Sequence, residues 1–159
     1  MEEKVFFSEK QQFRQWWLWL IHLGLIGFVL FKIVVEKDFG NSSKYFVIIP
    51  ISILFISLIL FWIMKLETKI YSDRIELKFF PFGIHKIYKI QDIQKMEVIK
   101  YNPLIDYGGW GIRLGAYNVS GNMGLKIHYR DKNNYDNSIL IGTQKPEEMS
   151  NTIKSIYNV

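Results

Sequence analysis

The stretch Tyr107-Gly108-Gly109-Trp110-Gly111-Ile112-Arg113 is the most unusual in the chain. Glycine fills three of the four positions from 108 to 111, which calls for backbone at positive φ or for close approach of another group. The chemistry on offer is recognition. Tyr107 and Trp110 supply aromatic anchors around Gly109 and Arg113 supplies a charge, the residue types enriched in binding hot spots. Tyr117 joins them a few residues on. The same residues equally suit a bulged strand whose tryptophan fills the core, and Asn118 reads as a turn residue.

A second group is basic. Lys126, His128 and Arg130 alternate with Leu125, Ile127 and Tyr129, which places the three bases on the polar face of one strand. With Lys65, Lys69 and Arg74 they form a candidate surface for anionic lipid headgroups, each nearby base being worth about 1 kcal/mol. The alternative for such a stripe is a solvated face. No dense Lys/Arg run points to nucleic acid.

Chemistry beyond binding finds no carrier. The 159 residues include no cysteine. His85 and His128 lack partners at metal or triad spacing. There is no G-x-S-x-G elbow, H-E-x-x-H, Walker loop or G-x-G-x-x-G. Gly108, Gly109 and Gly111 lack the lysine and following helix that phosphate cradling needs, and Glu147-Glu148 suits the positive end of a helix dipole better than an acid/base pair. The expectation is a binding protein with no enzyme activity, cofactor or metal.

The elements that must position these residues begin with two apolar runs, Trp16 to Val35 and Tyr45 to Met64. Each is twenty residues long, and a helix of that length spans about 30 Å, a bilayer's hydrocarbon thickness. Lipid leaves the backbone no partner but itself, so both runs are predicted helices. Residues Glu36 to Lys44 between them suffice for a turn, giving a transmembrane hairpin over 16–64. The first run is full length and lacks a small-residue cleavage site, which reads as an anchor and not a signal peptide. Lys4, Lys10 and Arg14 before the hairpin and Lys65, Lys69, Arg74 and Lys78 after it outweigh Lys37 and Lys44 in the turn, so both termini are expected on the cytoplasmic side of the cell membrane. His22 at membrane depth raises a functional flag, against which stands a helix–helix hydrogen bond or an interfacial position. Pro50 is expected to kink the second helix, and Gly24 and Gly27 permit close packing.

Residues 1–15 then read as a cytoplasmic segment and 65–159 as one small domain. From Lys65 onward 14 Lys and Arg stand against 10 Asp and Glu, so most of the chain's +5 charge lies there. The domain follows the second run without a linker and must lie against the membrane. Its hydrophobic period is two, giving strands near 69–71, 75–79, 84–90, 93–101, 111–114, 125–130 and 138–142. Ser72-Asp73-Arg74, Pro81-Phe82-Gly83 and Asp131-Lys132-Asn133-Asn134 supply turns. At the end, Thr143, Pro146, Glu147 and Glu148 begin a helix whose apolar face is Met149, Ile153, Ile156 and Tyr157.

This order of elements resembles the pleckstrin-homology-like fold, and a two-span hairpin leading straight into it resembles small bacterial membrane proteins of that architecture. The residues that carry the likeness are Tyr107 to Arg113, Ala116 to Gly121 (AYNVSG) and Ile141 to Glu148 (IGTQKPEE). About seven strands and one C-terminal helix fit an antiparallel barrel or sandwich plugged by that helix; the resemblance implies the barrel, at the membrane. Lipid-reading members place a basic cluster on the loop between the first two strands, where this chain has Ser72-Asp73-Arg74. The functional expectation is a scaffold that contacts other membrane proteins through Tyr107, Trp110 and Arg113. Recognition of membrane lipids and assembly with further copies of itself stand beside it.

Overall fold

A computed structural model describes residues 4–35, 43–113, 115–131 and 133–157. The chain divides into two compact units, Phe13–Ile63 and the chain on either side of it.

The apolar unit holds α1 (Trp16–Val35) and α2 (Ser43–Ile63). Of the expected turn over 36–44, residues 36–42 lie outside the described residues, and Ser43 and Lys44 begin α2 instead. Trp19 meets Trp62 at 5.9 Å between ring centroids, and His22 lies 3.0 Å from Ser57, so the helices run antiparallel. His22 Nδ1 is 2.8 Å from the Leu18 carbonyl, and Ser57 Oγ is 2.8 Å from the Leu54 carbonyl. The histidine is therefore satisfied by the helix contact, as expected of a polar group in apolar surroundings. α2 runs unbroken through Pro50. Nothing lies within 4 Å of where a Cβ would stand on Gly24 or Gly27, so neither serves a close helix contact here. The outward faces are bare and apolar: Leu23, Phe28, Phe31, Phe55 and Ile56 are each about 60% exposed. By length and composition α1 can cross a membrane; the apolar stretch of α2, Ile48–Ile63, is shorter.

The other unit is rich in sheet. β1 (Phe7–Gln12), β2 (Lys65–Ile70), β3 (Arg74–Phe80) and β4 (Ile84–Lys89) form an antiparallel sheet in that order. After one 3-10 turn come β5 (Ile93–Lys100), the short helix α3 (Pro103–Tyr107), β6 (Gly111–Arg113), β7 (Ala116–Asn118), β8 (Met123–Arg130) and β9 (Asp136–Gly142). These strands make a second sheet, ordered β5-β8-β9-β7-β6. Of the two expected architectures, the antiparallel barrel is thereby corrected, and the two sheets fit the sandwich except in one parallel pairing. The strands form two sheets that do not close, and β7 runs parallel to β9. Leu114 and Lys132 lie outside the described residues.

Alternation builds the core between the sheets. Leu66, Thr68 and Ile70 of β2, Ile75, Leu77 and Phe79 of β3, and Leu125 and Ile127 of β8 are all buried. α4 (Pro146–Tyr157) packs Met149 and Ile153 against them and touches β1, β5 and β8. Its Tyr157 hydroxyl donates to the Tyr71 carbonyl. Burial, with Asp73 adding, pushes that phenol up to about 12.

The N-terminal segment is not a free flank: β1 is the edge strand of the first sheet. Its inward residues are Phe7, Glu9 and Gln11. The two polar ones bridge to the second sheet and the start of α4. Gln11 donates to the Gly142 carbonyl at 2.6 Å, while Glu9 accepts from Thr143 Oγ at 2.6 Å and from the Gln144 amide at 2.7 Å.

Candidate functional site

The glycine-rich stretch is built as a joint. Asn102 caps α3, its side-chain oxygen accepting from the Leu104 and Ile105 amides; Pro103 takes the first helical position, and Gly108 ends the helix at φ +71°. Tyr107 then packs on Tyr101, Ala116 and Leu140, its ring 5.7 Å from that of Tyr101. Trp110 is half-buried and its indole donates to the Gly121 carbonyl at 3.0 Å, which pins the 119–122 loop. Asn118 is a buried strand residue and no turn: its side chain accepts from the Gly111 amide at 2.8 Å. Gly109, at φ +122°, leaves room for the Arg113 guanidinium, which lies 3.2 Å from where a Cβ would stand. Tyr107, Gly109 and Trp110 thus hold the second sheet's edge together. A strongly apolar tryptophan with its one donor engaged internally has little left for a partner.

Arg113 and Tyr117 lead elsewhere. Both line a cleft of about 550 Å³ between the sheets, with Lys86, Tyr88 and Lys89 of β4, Tyr129 and Arg130 of β8, and Asp92 and Asp131. Its centre is aromatic: Tyr88 and Tyr129 meet edge to face at 5.1 Å. Burial, followed by Tyr129 and Tyr117, drives the Tyr88 phenol far above its ordinary value; burial, Asp131 and Tyr117 raise Tyr129 as well. At neutral pH these hydroxyls keep their protons and can donate. Four bases stand against two carboxylates around them, and Lys86 and Lys89 have no ion-pair partner among the described residues. The cleft can therefore take an anionic or hydrogen-bond-accepting group against aromatic walls.

The basic residues do not converge. Lys65, Lys69 and Arg74 stand on the outer face of the first sheet, where Lys69 pairs with Glu67 at 3.2 Å. Arg74 bonds Glu76 at 2.9 Å and Asp73 at 3.1 Å and lies 4.3 Å over the Tyr71 ring. The Arg74 hydrogen bond holds the Glu76 carboxyl below the usual carboxylate range. Lys126 and His128 belong to the second sheet, on the face turned from its buried Leu125 and Ile127 and in register with Glu97 and Lys95. Arg130, by contrast, pairs with Asp136 at 3.3 Å. The six bases are divided between two sheets, and Lys69, Arg74 and Arg130 are already paired.

Sequence reasoning missed Lys86, Tyr88 and Lys89 as site residues and placed Tyr129 only as a strand residue. A usable signal existed: Tyr88 and Tyr129 occupy the inward strand register that Ile75, Leu77, Leu125 and Ile127 share, as expected where a core opens into a cleft. No group of three or more metal-ligating side chains occurs among the described residues. The chain matches no family model, no curated protein and no solved structure.

Proposed function

We propose that this chain is a membrane-anchored binding module, in which a two-helix hairpin holds a pleckstrin-homology-like domain at the cytoplasmic surface and the inter-sheet cleft receives a segment of another membrane protein. One observation supports the anchor most directly. Gln12, four residues before α1, is paired in register with Lys65, two residues after α2, and such partners lie about 5 Å apart. A chain that leaves this strand pair through α1 must return to it through α2. If α1 crosses the bilayer, α2 crosses it back, and both termini stay on one side. The bare apolar faces of both helices agree with lipid around them. The likeness to the pleckstrin-homology-like fold rests on two sheets packed with a C-terminal helix, and carries no reaction with it.

The contact is assigned to the cleft because Arg113 and Tyr117 line it, together with Tyr88, Tyr129 and two lysines that have no ion-pair partner among the described residues, whereas Tyr107 and Trp110 serve the fold. Its excess of bases suits an acidic segment. The test is a photo-crosslinker in place of Tyr117 in the full-length protein, in its native membrane. A defined membrane-protein adduct, lost in the Lys86→Glu/Lys89→Glu double variant and kept in Trp110→Phe, is the expected result. Adducts only between copies of the chain would make it a homo-oligomer. No adduct at all would remove the cleft as a docking site.

A further inference from the structure

The turn between β3 and β4 is an aromatic tip, and the strand register puts it where the chain enters and leaves the apolar unit. Phe80 pairs with Lys65 across β3 and β2, and Lys65 pairs in turn with Gln12. Those three residues therefore mark one end of the first sheet. Beyond Phe80, the turn Pro81-Phe82-Gly83 projects from that end. Phe80 is 56% exposed and Phe82 48%, although both rings are among the most costly to leave in water. Phe82 is not loose: its ring lies 5.9 Å from that of Phe79, which is fully buried. Just behind the tip, Lys78 and His85 form an exposed cross-strand pair, with His85 3.7 Å from Glu76, and Lys65 stands opposite Phe80. Exposed rings braced on a core residue and backed by bases match what a membrane interface takes up: the rings enter the headgroup–acyl boundary while the bases meet anionic headgroups.

We infer that the Phe80-Pro81-Phe82 tip inserts into the cytoplasmic interface of the same bilayer that α1 and α2 cross. The inference rests on the membrane-anchored reading and deepens it. It also explains why the Ser72-Asp73 turn carries no free base: that turn lies at the far end of β3, about 20 Å away for a strand of this length.

The absence of cysteine from the chain permits a clean test. Single variants Phe28→Cys, Ser72→Cys, Phe80→Cys and Phe82→Cys of the full-length protein would each carry a nitroxide in vesicles of mixed neutral and anionic phospholipid. Collision with oxygen and with a water-soluble nickel chelate then reports depth. The expected pattern is hydrocarbon at 28, interface at 80 and 82 with several-fold less nickel collision than at 72, and water at 72. Because each tip variant keeps the other phenylalanine, loss of one ring does not abolish insertion. Hydrocarbon at 28 with 80 and 82 as wet as 72 would overturn the tip and leave the anchor standing. Nickel collision at 28 equal to that at 72 would remove the anchor and the tip together.

Discussion

At the scale of single residues, the side chains that looked most like a binding site turn out to have internal tasks, and the difference lies in where their polar atoms go. Trp110 directs its one donor to Gly121, so Trp110→Phe should lose about 1 kcal/mol, the net value of a hydrogen bond. Chemical denaturation should show that loss while cleft crosslinking persists. Glu9 is the opposite case, a charged residue that attracts no notice in the sequence yet serves two donors from beneath the core. Glu9→Ala leaves Thr143 Oγ and the Gln144 amide unpaired, and should cost roughly 1–3 kcal/mol in the same measurement. A Glu9→Ala protein as stable as the wild type would mean that water replaces the carboxylate. Gly142 is tighter still. A Cβ there would stand 2.9 Å from that of Asn118, so Gly142→Ala should destabilise by roughly 1–3 kcal/mol through overpacking.

At the scale of elements, α4 is fastened at both ends, by Glu9 near its start and by Tyr157 at its finish. The Tyr157 phenol is raised from 10.0 to about 12. Because its folded value lies above the unfolded one, the stability it contributes is intact below pH 10 and is lost as pH climbs toward 12. Tyr88 acts in the same direction. Alkaline solution should therefore loosen α4 and the cleft, an effect these groups do not produce in acid, and Tyr157→Phe should flatten the fall in thermal stability between neutral pH and about pH 11. An unchanged slope would mean that Tyr157 is not held in the folded state. The elements that escaped notice in the sequence share a cause. β1 turns Glu9 and Gln11 inward, so no apolar alternation marks it; β7 has three residues, too few to show a period; α3 is one turn, and although Asn102-Pro103 and Gly108 frame it, nothing between them repeats.

For the whole molecule, the Gln12–Lys65 pairing makes topology testable without knowledge of any partner. In intact cells, Asn41→Cys should react with a membrane-impermeant thiol reagent, and Ser72→Cys only after lysis. Equal reactivity of the two would place one helix, not two, across the membrane. The sequence by itself determined the two apolar helices to within two residues, because runs of twenty mostly apolar residues leave the backbone few other ways to satisfy its hydrogen bonds. It determined the strands with buried alternating faces and the amphipathic α4 for the same local reason. Only the tertiary structure decided that the strands part into two sheets, that β1 crosses from the N-terminus to join them, and that Arg113 and Tyr117 share a cleft with Tyr88 and Tyr129. Those outcomes depend on contacts between residues far apart in the chain, such as Glu9 with Thr143 and Gln11 with Gly142, and no local period records which distant partner a polar side chain will meet.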